Sequence, residues 1–132
     1  MSETRPDLLA RILTFASVTE ICTGLVLMLD PALVAKLLLG VDATGLAILF
    51  GRCFGVSLLA LGLACWPDQQ TGEVSTAAGG AMLAYNTLIA VYLAYLGTVD
   101  HLAGMLLWPA VVLHAVVALL LFLNRNKRRQ SG

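Results

Sequence analysis

Four long apolar runs constrain this chain more than any other feature of its sequence. They cover residues 12–29, 43–66, 74–99 and 102–123, and each meets or approaches the roughly 20 residues that a helix needs to cross a bilayer. Only 12% of the 132 residues are charged and 59% are hydrophobic, whereas a typical globular chain is about 25% charged. A soluble domain of this size cannot hide so much apolar surface. The sequence therefore predicts an all-α integral membrane protein and excludes a water-soluble enzyme, a nucleic-acid-binding module and a disordered segment.

Helix-breaking residues separate the runs. Asp30 and Pro31 stop the first run, and Pro67 stops the second. The connections after the second and third runs are short, so we expect those runs to be antiparallel neighbours. The interpretation is a single domain, residues 1–132, folded as an antiparallel four-helix bundle with a basic tail at 124–132.

Basic residues gather at the two ends of the chain. Six of the eight Lys and Arg residues lie outside or at the edges of the apolar runs: Arg5, Arg11, Arg125, Lys127, Arg128 and Arg129. Excess Lys and Arg marks the cytoplasmic side of a membrane, and four spans return both ends to one face. We therefore predict a bacterial inner-membrane protein whose N-terminus and C-terminus are both cytoplasmic. The basic tail anchors this orientation, or alternatively binds anionic lipid.

A fifth apolar segment, residues 31–41, is too short to span a membrane. Lys36 lies in its middle. We predict a short helix in the outer membrane interface, with the Lys36 ammonium extending towards the headgroups. A loop that caps the bundle is the alternative.

Each span carries one conspicuous polar side chain: Glu20, Arg52, Asn86 and His114. At a rise of 1.5 Å per residue, Glu20 and Arg52 both lie roughly 14 Å below the outer boundary, and the other two lie about 3–6 Å deeper. Antiparallel helices would bring all four into one polar layer. Ionisable side chains are costly in hydrocarbon and occur mostly where they pair or function.

Two interpretations of the polar layer remain open. In the structural one, Glu20 and Arg52 form a buried ion pair, and Asn86 and His114 supply its remaining hydrogen bonds. In the functional one, Glu20 and His114 titrate within a binding site or proton relay. Two tyrosines of the third span belong to the same layer: Tyr85, which needs a partner inside the bundle, and Tyr92, whose hydroxyl could reach the site or the interface.

Small residues beside polar ones mark the sides on which helices approach closely. We predict helix packing at five glycines: Gly24, Gly51, Gly55, Gly79 and Gly80. The G-x-x-x-G pair on the second span and the small-residue cluster at 77–81 are candidate contact faces for a neighbouring chain.

No constellation in the sequence indicates catalysis or a bound metal. The chain lacks a catalytic carboxylate pair, a Ser/His/Asp set, a P-loop and a dinucleotide fingerprint. Cys22, Cys53 and Cys65 lie inside apolar runs without C-x-x-C spacing, which favours buried apolar side chains over a disulfide or a zinc site. We predict a protein that is not an enzyme and holds no metal or cofactor.

Three segments carry a family resemblance: TEICTGLVLMLDP, GRCFGVSLLALGLACWP and LWPAVVLHAVVALLL. In the spacing of Gly, Arg and Pro within its apolar runs, the chain resembles small four-helix bacterial inner-membrane proteins of the DoxX-like kind. The resemblance implies an inner-membrane bundle and a link to redox or quinone physiology. It transfers no catalytic residue.

The functional expectation is a non-enzymatic membrane protein that acts through helix–helix contacts. It would form an oligomer or an accessory or scaffold subunit of a larger complex, with membrane lipids and no nucleic acid among its partners. The alternative is a transporter or binder of a small amphipathic or anionic ligand (a quinone, lipid or weak acid) at the polar layer. A ligand protein should contain a cavity that reaches this layer, whereas a scaffold should be close-packed there.

Overall fold

The computed structural model describes residues 8–68 and 74–130, and this part of the chain is helical with no strand. Its helices are α1 (Leu8–Leu29), α2 (Pro31–Leu39), α3 (Leu46–Ala64), α4 (Thr76–Thr98) and α5 (Leu107–Gln130). Four of them are long and apolar enough to cross a membrane: α1, α3, α4 and Leu107–Asn126 of α5. The prediction of an all-α chain with four candidate spans is therefore confirmed. Of the basic residues at the two ends, Arg5 and the side chains of Lys127, Arg128 and Arg129 lie outside the described part.

The helices do not end where the apolar runs end. The first helix begins at Leu8, so Arg11 lies inside it, and the last begins at Leu107 rather than at residue 102. Residues 102–106 follow a different path, in which the Leu106 amide donates a hydrogen bond to the Leu37 carbonyl of α2 at 2.8 Å. The last helix continues through the basic tail because Arg, Lys and Gln are good helix formers in water.

The predicted short helix after the first span is confirmed as α2. Its N-terminus is capped by Asp30, whose carboxylate accepts a hydrogen bond from the Leu33 amide at 3.0 Å, and Pro31 occupies the first turn. Gly40 ends the helix at φ +74°, a left-handed conformation, and its amide bonds back to the Lys36 carbonyl. The placement of α2 in a membrane interface stays a prediction.

The helices α1 and α3 pack along each other through glycine. A β-carbon at Gly24 would lie 2.7 Å from the Gly55 carbonyl oxygen, and one at Gly55 would lie 2.7 Å from the Gly24 carbonyl oxygen. Farther along, a β-carbon at Gly62 would lie 2.8 Å from the carbonyl oxygen of Ser17. The two backbones therefore approach too closely for any larger residue at these positions.

The prediction that the second and third spans are neighbours is wrong. In the described residues, α3 packs along α1 and touches α2, whereas α4 packs along α5. The link between α3 and α4 is local, since the Cys65 thiol just after α3 donates to the Ala78 carbonyl at 3.5 Å. A short connection brings two helix ends together without deciding which helix each packs along. The glycine face of α3 selects α1.

The helices α4 and α5 meet along their length. Gly97 near the end of α4 lies against Leu107 and Trp108 at the start of α5, whereas Gly80 near the start of α4 lies close to Arg125. The first helix joins this pair through a buried apolar cluster that includes residues of α1, α4 and α5: Leu9, Ile12, Leu13, Ala16, Met82, Val117 and Leu121. Consequently α1 lies between α3 and the α4/α5 pair.

Candidate functional site

Four side chains meet between α1, α4 and α5: Glu20, Tyr85, Asn86 and His114, called the polar cluster below. Glu20 is 2% exposed and Asn86 is 1% exposed, and the His114 side chain is 12% exposed. Helix spacing placed these residues at similar depths, and the structure brings them together.

The hydrogen bonds of Asn86 fix the orientation of its amide. Its Nδ2 donates to the Met82 carbonyl, one turn earlier, at 2.9 Å. A carbonyl oxygen only accepts, so Oδ1 is the amide atom that faces His114, at 2.8 Å from Nδ1. Because Oδ1 also only accepts, His114 carries a hydrogen on Nδ1. In the neutral ring, Nε2 is then the acceptor.

The Glu20 carboxylate interacts with one residue from each of two other helices. Its Oε1 lies 3.9 Å from His114 Nδ1, beyond the roughly 3.2 Å limit of an ordinary N–H···O hydrogen bond. The Tyr85 hydroxyl lies near the carboxylate and interacts with it electrostatically. The Tyr85 ring meets the His114 ring edge to face, with centroids 5.8 Å apart. Tyr85 therefore lies beside both Glu20 and His114 in the polar cluster.

Ser17 adds a polar atom that the sequence analysis did not assign to the site. Its side chain is 0% exposed, and within the described residues its Oγ is the one buried side-chain oxygen or nitrogen without a hydrogen-bond partner. A buried hydroxyl in that state costs about 1–3 kcal/mol. The available signal was its position three residues before Glu20, on neighbouring turns of one helix.

The predicted ion pair between Glu20 and Arg52 is wrong. Arg52 is exposed on α3, and among the described residues Glu20 approaches the basic side chain of His114 instead. Two residues at equal depth meet only when both helices turn them towards each other. The buried face of α3, formed by Gly55 and Leu58 with Gly62, points at α1 and leaves Arg52 to one side.

Tyr92 also lies apart from the polar cluster. Its side chain is 57% exposed on α4, whereas Asn86 on the same helix is buried. Tyr92 follows Asn86 by six positions, and this spacing turns the two side chains to different sides of the helix. Tyr92 does not join the site within this chain.

The predicted packing glycines fall into two groups. Gly24 and Gly55 lie at the α1–α3 contact, and a β-carbon at Gly51 would lie 2.7 Å from Pro31 Cβ at the start of α2. The G-x-x-x-G pair is therefore used within the chain and is not a free face for a neighbour. Near Gly79 the nearest atom lies 3.7 Å from a β-carbon position, and near Gly80 it is the end of an arginine side chain at 3.3 Å. A contact of 77–81 with another chain stays a prediction.

Two cavities flank the bundle without reaching the polar cluster. A groove of about 550 Å³ lies between α1 and α5, and a pocket of about 180 Å³ lies at the start of α4. Neither lining includes a member of the cluster. The described residues also contain no group of three His, Cys, Asp or Glu side chains that could hold a metal ion. The side chains of the cluster contact one another, through the hydrogen bond between Asn86 and His114 and the ring contact of Tyr85 with His114.

Comparisons with protein-family models, curated proteins and solved structures find no match to this chain. The resemblance to DoxX-like proteins therefore stays a prediction. Function has to be inferred from the chain's own residues.

Proposed function

We propose that this chain is a non-enzymatic subunit of a membrane-protein complex and binds its neighbour through the outer face of α3. The proposal includes an antiparallel four-helix bundle that crosses the bacterial inner membrane, with both termini in the cytoplasm. The observation that carries it is an exposed arginine, Arg52, on an apolar helix that packs along one other helix.

The outer face of α3 carries a stripe of exposed residues at helical spacing: Leu49, Arg52, Val56 and Leu63, called the α3 stripe below. Its apolar members are 56%, 52% and 61% exposed, in that order. None of the other helices of the described chain packs along this face. The α3 stripe therefore combines apolar surface with one fixed positive charge.

A charge on such a helix is costly when it faces lipid. An arginine near the centre of a span costs about 2.5–3.5 kcal/mol, and most ionisable residues in spans face protein or water. Arg52 follows the first residue of α3 by six positions, which is about 9 Å along the helix. A neighbouring subunit over the stripe would cover its apolar side chains and supply polar partners to the guanidinium.

The polar cluster supports the same interpretation from inside the bundle. The side chains of the cluster contact one another, and neither of the two cavities described above has a cluster member in its lining. The hydrogen bond between Asn86 and His114, together with the approach of Glu20, fixes three helices in one register. This rigid core would present α3 to its neighbour in a single orientation.

A photo-crosslinking residue at Val56 tests the proposal in native membranes. Leu88 on α4, which is 70% exposed and outside the α3 stripe, is the matched control position. We expect a discrete cross-linked dimer or heteromeric species from position 56 and little from position 88. Arg52→Ala should lower the yield at position 56 several-fold. Uncross-linked monomer at both positions, or equal yields from both, would contradict the proposal.

A binder or transporter of a small amphipathic ligand, such as a quinone, lipid or weak acid, is the second candidate. The unpartnered Ser17 Oγ near Glu20 favours it, because a ligand could supply the missing hydrogen bond. An anionic ligand at the polar cluster is no longer supported, because Arg52, the cation that would bind it, lies outside the cluster. Native mass spectrometry with an absorption spectrum of gently extracted protein separates the candidates. A bound non-lipid mass that Ser17→Ala reduces would favour the ligand.

A further inference from the structure

A groove of about 550 Å³ runs between α1 and α5, and its lining includes no residue of α3. On α1 its lining includes Ile12 and Phe15, and on α5 it extends from Pro109 to Leu120. Every lining residue is apolar except Arg11. The groove is therefore apolar and has a single charged side chain in its lining.

Arg11 lies at one end of this groove. Ile12 packs in the same buried cluster as Leu121, whereas Glu20, two turns farther along α1, approaches His114. The start of α1 therefore lies beside the late part of α5. This arrangement puts Arg11 at the Leu120 end of the groove and leaves the Pro109 end without charge.

The α5 wall of the groove is about as long as one leaflet of a bilayer, whereas its α1 wall, from Arg11 to Phe15, is shorter. Its lining on α5 spans eleven residue steps, from Pro109 to Leu120, or about 16 Å at 1.5 Å per residue. Half of the roughly 30 Å hydrocarbon core is about 15 Å. An extended acyl chain fits a groove that is apolar over this length and charged only at its end.

We propose that this groove binds a phospholipid with an anionic headgroup, its acyl chain along α5 and its phosphate on Arg11. A guanidinium binds phosphate oxygens through paired, charge-assisted hydrogen bonds. Arg125, which lines the neighbouring 180 Å³ pocket beyond Leu121 on α5, adds positive charge at the same end. Basic residues at a span end attract anionic lipid, and the apolar groove adds a binding position for one chain of that lipid.

Tryptophan quenching by brominated lipid tests this site in vesicles. The reporter is Val112→Trp in the groove wall, with Trp66 and Trp108 replaced by Phe. Val112 is 61% exposed, and Val91→Trp on α4, at a position that is 65% exposed, reports a lipid-facing surface outside the groove. Vesicles of phosphatidylcholine contain a small fraction of either phosphatidylglycerol or phosphatidylcholine with brominated acyl chains.

We expect brominated phosphatidylglycerol to quench the groove reporter several-fold more than brominated phosphatidylcholine, with no such preference at position 91. Arg11→Gln should abolish the preference and Arg11→Lys should retain part of it. Lys36→Gln also removes one positive charge, but from α2, which follows the far end of α1 from Arg11. This variant should leave the lipid preference intact. Equal quenching by both lipids, or equal loss in the Arg11 and Lys36 variants, would overturn the proposal. Absence of quenching by either lipid would also overturn it, because another protein surface would then cover the groove.

Discussion

His114 and Asn86 join α5 to α4 through a hydrogen bond of 2.8 Å between Nδ1 and Oδ1. The same amide is held on its other side by the Met82 carbonyl, so its orientation and the position of the histidine hydrogen are fixed together. Because His114 also approaches Glu20 on α1, this one pair sets the relative positions of three helices. Its removal should therefore affect the whole bundle.

Replacing Asn86 by Ala should destabilise the protein by about 1–3 kcal/mol, because it leaves the buried His114 N–H without an acceptor. Thr87→Ala is the control, since the exposed Thr87 hydroxyl bonds only to the Leu83 carbonyl of its own helix, at 2.8 Å. The free energy of unfolding of both variants is measured in detergent mixtures, with circular dichroism as the probe of unfolding. Equal stability of the two variants would contradict the role assigned to the His114–Asn86 pair.

Exchanging the charges of Glu20 and Arg52 should not restore stability. Glu20→Arg puts a bulky cation at a position that is 2% exposed, and Arg52→Glu changes only the exposed side of α3. The double variant should therefore show additive effects, with a coupling energy within about 0.5 kcal/mol of zero. A double-mutant cycle on purified protein measures it. Recovery of more than about 1 kcal/mol in the double variant would mean that the two residues are partners after all.

Residues in contact should behave differently in the same experiment. Tyr85 and Glu20 interact electrostatically, so a cycle with Tyr85→Phe and Glu20→Gln should give a coupling energy of about 0.5–3 kcal/mol. Both changes nearly preserve side-chain volume, so packing contributes little to the result. A coupling near zero would show that the two groups do not interact.

Spacing along the chain was enough to predict some features and not others. The length of the apolar runs predicted four long helices, and the stop at Asp30 and Pro31 separated the short apolar segment 31–41 that forms a fifth. The rise per residue predicted that Glu20 and His114 lie in one layer, because the depth of a residue depends only on its position along the helix. The rotation of α3 about its own axis could not be predicted in this way. That rotation is set by the contact of Gly55 with α1, and it turns Arg52 outwards.

The close contact of α1 and α3 should not tolerate a methyl group. Gly24→Ala would place a β-carbon 2.7 Å from the Gly55 carbonyl oxygen, a rigid backbone atom, and we expect a loss of about 1–3 kcal/mol. Gly79→Ala is the matched control, since its β-carbon would meet only ordinary contact at 3.7 Å. Alanine is the better helix former by about 1 kcal/mol, so Gly79→Ala should be neutral or stabilising. Equal destabilisation by both variants would indicate that backbone freedom, not close packing, is what these glycines supply.

The contact of Gly104 with Leu38 should hold α2 on the connection before α5. A β-carbon at Gly104 would collide with the backbone of Leu38, so Gly104→Ala should push the two segments apart. The hydrogen bond from the Leu106 amide to the Leu37 carbonyl, 2.8 Å long, would then weaken. Hydrogen exchange should show at least about tenfold faster exchange at the Leu106 amide, which corresponds to about 1.4 kcal/mol of lost local stability.

Met105→Ala provides the control for that measurement, because Met105 lies in the same connection and is 76% exposed. Its substitution should leave exchange at the Leu106 amide unchanged. Amides around Asn86 in α4 should keep their protection in both variants, which distinguishes local release of α2 from unfolding of the bundle. The contrary outcome is equal protection of the Leu106 amide in Gly104→Ala and Met105→Ala. The connection would then not depend on the absence of a side chain at residue 104. In that case α2 would be held by its contacts with α1 and α3 alone.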